Sequence, residues 1–414
     1  MFSCTSWTRV LASAVLVLGA ATAVSDTAFA TVPVPPAPGH IAVASATTVK
    51  TDQVSIAASP TYKANSLSAG WLHTCAATTK GAAICWGYNA YGQLGDNTTT
   101  ASSVPVGVYG LDKGIKSVTA GYYHSCALTT KGKVQCWGYN GYGELGDGTT
   151  TNSLKPVAVT GLAKAASVSA GFEFTCALTT KGKVWCWGLN SYGQLGNGTT
   201  TNSAVPVAVQ GLGKVKAVST GVLHACALTT KGKVLCWGYN GYGQLGDNTT
   251  TDEHTPVVVY GLTKGAKAVS AGYYTTCAVN SKGAAKCWGY NGNGQLGNGT
   301  TTNSLKPVSV SGLSKKVSSV KPSYVHTCAV TTKGAVKCWG YNAYGSLGDN
   351  STTNSLTPVG VYNLDKASKV SLGEIHTCAL TAKKAVKCWG YNSSGQVGDG
   401  TTTDSHKPVK VAGF

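Results

Sequence analysis

From Gly70 to Val411 the chain is written in short apolar–polar runs of strand length, broken by turns rich in Gly, Asn, Asp and Thr. No stretch of it keeps a helical 3.6-residue period. One stretch shows the unit: Lys116–Ala120, His124–Thr129, Lys133–Gly138 and Pro156–Val159 read as four strands separated by turns. Its Cys-Trp-Gly triplet recurs at Cys85, Cys136, Cys186, Cys236, Cys287, Cys338 and Cys388, a period of 50 or 51 residues. A period of that size predicts a propeller or a solenoid. Four antiparallel strands repeated seven times predict an all-β, seven-bladed β-propeller, in which ring closure protects most sheet edges. Seven Pro-Val strands, from Pro105 to Pro408, make the blades numerically complete.

Each repeat holds two cysteines with nine residues between them: Cys75/Cys85, Cys126/Cys136, Cys176/Cys186, Cys226/Cys236, Cys277/Cys287, Cys328/Cys338 and Cys378/Cys388. Hairpin geometry tests this spacing. A three-residue turn at Thr130-Lys131-Gly132, with Gly132 left-handed, pairs Leu128 with Val134 and sets Cys126 opposite Cys136. Opposed residues of an antiparallel pair lie about 4.5–5.5 Å apart, within the span of a disulfide. Seven hairpin disulfides are therefore expected, with reduced buried thiols as the alternative; each bridge is worth roughly 3 kcal/mol in the chain-entropy model. Zinc sites bring close Cys pairs such as C-x2-C, which these repeats lack, so no metal is expected. The last repeat has Lys384 where the turn wants Gly, at a cost of about 1 kcal/mol if its backbone is left-handed.

The first 30 residues carry Arg9, an apolar run from Val10 to Val24 and the small-x-small sequence Ala28-Phe29-Ala30. These features read as a cleaved export signal, and the run is shorter than the roughly 20 residues of a membrane span. Residues 31–64, rich in Pro, Ala, Thr and Ser, read as an extended spacer, leaving 65–414 for the propeller. A secreted or cell-surface location is expected, where disulfides persist. Loss of Arg9 and Asp26 with the signal keeps the net charge at +18. That balance favours anionic surroundings. With no Arg left, the bidentate contacts of sequence-specific DNA reading are missing.

Strand alternation sorts the connections onto two faces. One face receives two variable positions after each Ala-Gly or its equivalent: Trp71-Leu72, Tyr122-Tyr123, Phe172-Glu173, Val222-Leu223, Tyr273-Tyr274, Tyr324-Val325 and Glu374-Ile375. Large rigid aromatics there are suited to anchor a partner, so Trp71, Tyr122, Tyr123, Phe172, Tyr273, Tyr274 and Tyr324 are the candidate binding residues; packing between blades is the alternative. Tyr91, Tyr142, Tyr192, Tyr242 and Tyr344 recur at one position and read as scaffold. The other face receives 22 of the 32 lysines, in hairpin turns such as Lys131 and Lys133 and in blade links such as Lys113, Lys214 and Lys369. It is expected to adhere weakly to anionic polymer, solvation being the alternative role.

The elements G-x-x-H-x-C-A-L, C-W-G-x-N and G-Q-L-G resemble the regulator of chromosome condensation repeat, over about 350 residues and all seven copies. The family holds a nuclear nucleotide-exchange factor, a plant ultraviolet-B photoreceptor and secreted bacterial β-lactamase inhibitors, so the resemblance implies the fold more strongly than a function. An export signal and seven disulfides do not suit the nuclear role. The photoreceptor's G-W-x-H setting occurs here only at Gly70-Trp71-Leu72-His73. Similarity in kind to the secreted inhibitors implies a non-enzymatic, monomeric, cofactor-free protein-binding module, with partner-contacting aromatics in the loops named above. A carbohydrate-binding or envelope-adhesion module is a second reading. A third is a polysaccharide hydrolase or lyase, though no nucleophile elbow, phosphate loop or acidic pair stands out and the acids look sparse and scattered. His73, His124, His224, His326 and His376 share one position on different blades and read as structural.

Overall fold

The computed structural model describes residues 61–414; the export signal and nearly all of the spacer lie outside the described residues. Blade 1 consists of β1 (Ala64–Ala69), β2 (His73–Thr78), β3 (Ala83–Gly87) and β4 (Ser102–Gly107). Blade 2 consists of β5 (Ile115–Ala120), β6 (His124–Thr129), β7 (Val134–Gly138) and β8 (Ser153–Ala158). Blades 3 to 7 repeat the pattern from inner strands Ala165–Ala170, Val215–Thr220, Ala266–Ala271, Val317–Pro322 and Ala367–Leu372. Each blade is one four-stranded sheet with its strands in chain order, giving the seven-bladed all-β propeller expected from the repeat.

The hairpin register is the expected one, with Leu128 opposite Val134 and Cys126 opposite Cys136. All seven disulfides form, across Cα–Cα distances of 4.0–4.1 Å. Gly132 has φ 81° and Lys384, at the same turn position, has φ 70°. Several boundaries differ from the sequence reading: β5 opens at Ile115 rather than Lys116, β7 at Val134 rather than Lys133, and β8 closes at Ala158 rather than Val159, beside two further shifts. β8 begins at Ser153 rather than Pro156, because a register shift after Cys136 lets Gly138 pair with Ser153. The folded body starts a few residues before 65, since Ala64 opens β1 and the Tyr62 ring packs 5.7 Å from that of Phe414.

Adjacent blades meet along one repeated seam. The fully buried indole of each Cys-Trp-Gly donates to a backbone carbonyl of the preceding blade, as Trp137 does to Gln93 at 2.9 Å and Trp187 to Glu144 at 2.8 Å. Six of the seven carbonyls accept a second bond from a Ser or Thr hydroxyl, such as Ser125 to Gln93 O at 2.9 Å. Because that hydroxyl spends its proton on the carbonyl, the histidine touching it must donate: His124 Nε2 lies 2.8 Å from Thr175 Oγ1 and His224 Nε2 2.8 Å from Thr276 Oγ1. Blade 3 replaces the histidine by Phe174, and the facing hydroxyl position is then Ala225, both inside one apolar cluster. Closure repeats the seam, with Trp86 donating to Gln396 O and His376 meeting Thr74.

The ionisable groups buried in this seam are shifted away from their charged forms. Burial pushes all five histidines down to about 3. Between blades 2 and 3, Glu144 takes the place held by Gln in five other repeats, and its Oε1 and the Oε2 of Glu173 are buried without hydrogen-bond partners. Burial holds Glu173 up at about 8 and Glu144 well above the carboxylate range, the latter also repelled by Glu173.

Stability is expected to fall on both sides of neutrality. The unfolded chain protonates its histidines near 6.5 while the folded one stays neutral to about 3, so stability is lost as pH drops below 6.5, by at most about 1.4 kcal/mol per pH unit per histidine. The pair His224→Phe with Thr276→Ala, copying Phe174 and Ala225, should remove one histidine's share of that slope in urea unfolding between pH 7.5 and 4.5. The raised carboxyls act in the opposite sense: neutral when folded and ionised when unfolded, they cost stability as pH rises from 4.5 towards 8, offsetting part of the slope of the five histidines below 6.5 and leaving a net decline above it. Glu144→Gln should flatten that decline and raise the melting temperature at pH 8. Lys384→Gly should raise the urea midpoint, by up to about 1 kcal/mol of stability.

Candidate partner-binding face

The loops between first and second strands and between third and fourth strands lie together, as Tyr139 N–H to Tyr123 O at 3.0 Å and Tyr88 N–H to Leu72 O at 2.8 Å require. Hairpin turns and blade links lie together on the opposite face, joined by Ile115 N–H to Gly81 O at 2.9 Å and Thr130 N–H to Gly114 O at 2.8 Å. This is the partition that strand alternation predicts.

On the first face, the leading variable position turns to the propeller axis in six of the seven loops, Tyr324 being the exception. Trp71, Tyr122, Phe172, Val222, Tyr273 and Glu374 line a cavity of roughly 90 Å³ over a floor of Ala and Gly. Trp71 stacks on Tyr122 with ring centroids 4.5 Å apart and planes 10° apart; Tyr122 meets Phe172 at 4.3 Å and Tyr273 at 6.1 Å, and Tyr273 meets Tyr324 at 4.8 Å. The second variable position turns outward. Tyr123 packs 4.9 Å from Tyr91 and Tyr274 packs 5.1 Å from Tyr242, and the contacts run on to Tyr139 and Tyr239. The candidate aromatics thus form one net from axis to rim.

Members of the net differ in access. Tyr324 is 38% exposed, whereas Phe172 is 7% exposed and backs the Tyr122 ring from within. Tyr91, Tyr142, Tyr192 and Tyr242, read from the sequence as scaffold, are partly exposed members of the same net. Tyr88, Tyr139, Tyr239 and Tyr290 of the Cys-Trp-Gly-Tyr runs also belong to it, although sequence reasoning passed over them. Their regular recurrence made them look like framework, and repetition cannot distinguish a core ring from a surface one.

The acids are less scattered than the sequence suggested. Eleven of the thirteen described Asp and Glu residues lie in this face's loops or at their edges. Asp96, Asp147, Asp247, Asp349 and Asp399 mark the outer turns, Asp252, Glu253 and Asp404 the loop ends, and Glu144, Glu173 and Glu374 the interior. The same loops contain no lysine. At the axis the Trp71 indole N–H donates to Glu374 Oε2, and burial pushes the Glu374 carboxyl up to about 7. Burial first, and then the Glu374 charge, push the Tyr122 and Tyr273 hydroxyls well above their usual range. Among the described residues no group of three or more His, Cys, Asp or Glu is placed to hold a metal ion. No helix there is long and apolar enough to cross a membrane.

Residues 163–414 match the RCC1-like domain, and stretches between 65 and 178 match the regulator of chromosome condensation (RCC1) repeat. The ultraviolet-B receptor UVR8 of Arabidopsis thaliana is 33% identical over 299 residues, which is 71% of this chain and 45% of UVR8. The mitochondrial RCC1 domain-containing protein RUG3 of the same plant is 36% identical over 99 residues, 24% of this chain and 22% of RUG3. The chain therefore spans less than half the length of these curated relatives. Among solved structures, human WBSCR16 superposes with a TM-score of 0.73 at 25% identity, over 80% of this chain and 94% of that one. Prp20p of Saccharomyces cerevisiae, described with its binding to Gsp1p and histones, shares the fold with a TM-score of 0.70 at 21% identity, over 80% and 86% of the two chains. With that domain matched over more than half its length, and with seven Trp-to-carbonyl seams closing the ring, the chain belongs to the RCC1-like domain family.

Proposed function

We propose that this protein is an exported, non-enzymatic binding propeller that holds a protein partner on the aromatic face, in the manner of the secreted β-lactamase inhibitors it resembles. Trp71, Tyr122, Tyr123, Tyr273, Tyr274 and Tyr324 make the contact, with Phe172 supporting Tyr122. The observation that carries this reading is the continuous aromatic net, partly open to solvent, on a scaffold with a disulfide in every blade. Rings fixed in this way lose little entropy on binding and supply the contact area typical of hot spots. Yeast Prp20p, a fold relative, is described with protein partners, Gsp1p and histones, which supports a binding role for the scaffold. Export rests on residues 1–30 and on the disulfides, which persist outside the reducing cytosol.

A polysaccharide-cleaving role has less support. Its acid pair would have to be Glu144 and Glu173, and both are enclosed between blades, with 0% and 3% exposure, away from any cleft that could admit a chain. Weak adhesion through the opposite face is a second reading, favoured by the lysines of its hairpin turns and links.

Immobilised protein is expected to retain a protein from envelope or secreted extracts. Alanine at Trp71, Tyr122 and Tyr274 should weaken that retention at least about ten-fold, equivalent to about 1.4 kcal/mol, with the fold intact by circular dichroism. Retention of the same protein by the alanine variant would sink this face as the binding surface. Neutralising Lys131, Lys133, Lys181 and Lys183 should leave partner retention unchanged and reduce retention on an anionic matrix at low salt.

A further inference from the structure

Glu374 is the one carboxyl lining the axial cavity, and no lysine, arginine or histidine lines it with Glu374. The corresponding loop position in the other six blades is aromatic or apolar: Trp71, Tyr122, Phe172, Val222, Tyr273 and Tyr324. One carboxyl oxygen takes the Trp71 N–H, and the enclosed Tyr273 hydroxyl in the same lining makes no well-formed hydrogen bond, lying beside the Tyr122 hydroxyl with its oxygen left to accept. A desolvated carboxylate among ring faces, with a spare hydroxyl beside it, is complementary to a cation: the carboxylate supplies charge, the rings their negative faces, and the hydroxyl an acceptor. The surrounding loops extend that preference, being acidic and free of lysine. Most of the chain's charge of +18 does not oppose it, because hairpin turns and blade links carry 22 of the 32 lysines on the far face and surface charges are screened beyond about 8 Å at physiological salt. Buried Lys321, next to the lining residue Pro322, is lowered to about 8 by burial and loses its charge over the upper part of the pH range in which Glu374 ionises.

We propose that this axial socket accepts the charged head of a lysine or arginine side chain of the protein partner, which pairs with Glu374 and lies against the rings of Tyr122 and Tyr273. The proposal rests on the binding role of this face and adds the chemistry of the contact. A cavity of roughly 90 Å³ has room for an ammonium or guanidinium head, with the aliphatic stem passing out between the rings. Only ionised Glu374 attracts the cation, and its carboxyl is held near 7. Occupancy should therefore rise with pH through neutrality and release a proton below it. Tyr122, Tyr123, Tyr273 and Tyr324, the titratable groups coupled to Glu374, are all shifted upward and stay neutral across that range.

The test is ligand-observed NMR of the full chain with the Nα-acetyl N-methylamides of lysine, arginine and norleucine, the last a neutral isostere of the lysine stem. Both cationic amides should bind saturably, with norleucine at least about ten-fold weaker, and lysine affinity should climb about ten-fold or more from pH 5.5 to 8.5. Glu374→Gln should abolish both the preference for cations and the pH dependence. Equal binding of norleucine, a flat pH profile, or an unchanged Glu374→Gln protein would each overturn the socket. If that variant fails to fold, the pH profile and norleucine comparison on the unaltered protein decide alone. Partner capture that needs the aromatics, without any cation preference, leaves the binding face and removes the socket; cation preference without a captured partner does the reverse.

Discussion

One backbone carbonyl per blade carries the architecture. It belongs to the residue before Leu or Val in each G-Q-L-G-type turn, and the next blade sends the indole N–H of its Cys-Trp-Gly into it, at 2.8–3.0 Å in all seven seams. The indoles are wholly buried, so an unmet donor there would cost the full desolvation of an N–H group. The turn is built around this contact: a Cβ on Gly95, whose φ is +71°, would lie 2.6 Å from Trp137 Nε1. The neighbouring histidine–hydroxyl contact follows the same demand for pairing. Where Phe174 removes the donor, Ala225 removes the group it would have met, so no polar atom is stranded.

Because each seam pairs its indole donor in the interior, the loops above it are free to vary, and their variation lies on one side of the ring. The disulfide between the two central strands of every blade pins those loops at their roots. Aromatic side chains placed there become pre-organised by the scaffold, and Trp71 stacked on Tyr122 is positioned from two different blades. The same face also carries the least favourable electrostatics of the molecule. Glu144, Glu173 and Glu374 are all held protonated beyond the normal carboxylate range by burial. Of the three, only Glu374 lines the axial cavity, where a cationic group could reach it.

Acidic charge is gathered on the aromatic side, in Asx turns such as that of Asp96, which accepts from Thr98 N–H at 3.1 Å. The polarity comes from loop chemistry being copied with each repeat, and rotation about the axis turns a local preference into a facial one.

Blade number, strand order, the opposition of Cys126 to Cys136 and the left-handed turn at Lys384 were all legible along the chain. Each depends on residues within about fifty positions, and a periodic sequence states such relations seven times over. The facial partition was legible for the same reason, since strand direction alone sets it. Which variable residues meet was not legible. Trp71 and Glu374 are 303 positions apart, and Tyr122 reaches Tyr273 across the axis, contacts that exist because a closed ring of seven brings every inner loop to one point. Phe172 becoming a support, Tyr91 and Tyr139 joining the surface net, and Glu144 facing Glu173 likewise depend on how neighbouring blades pack. Periodicity specifies what each blade is; closure of the ring specifies which of their differences come into contact.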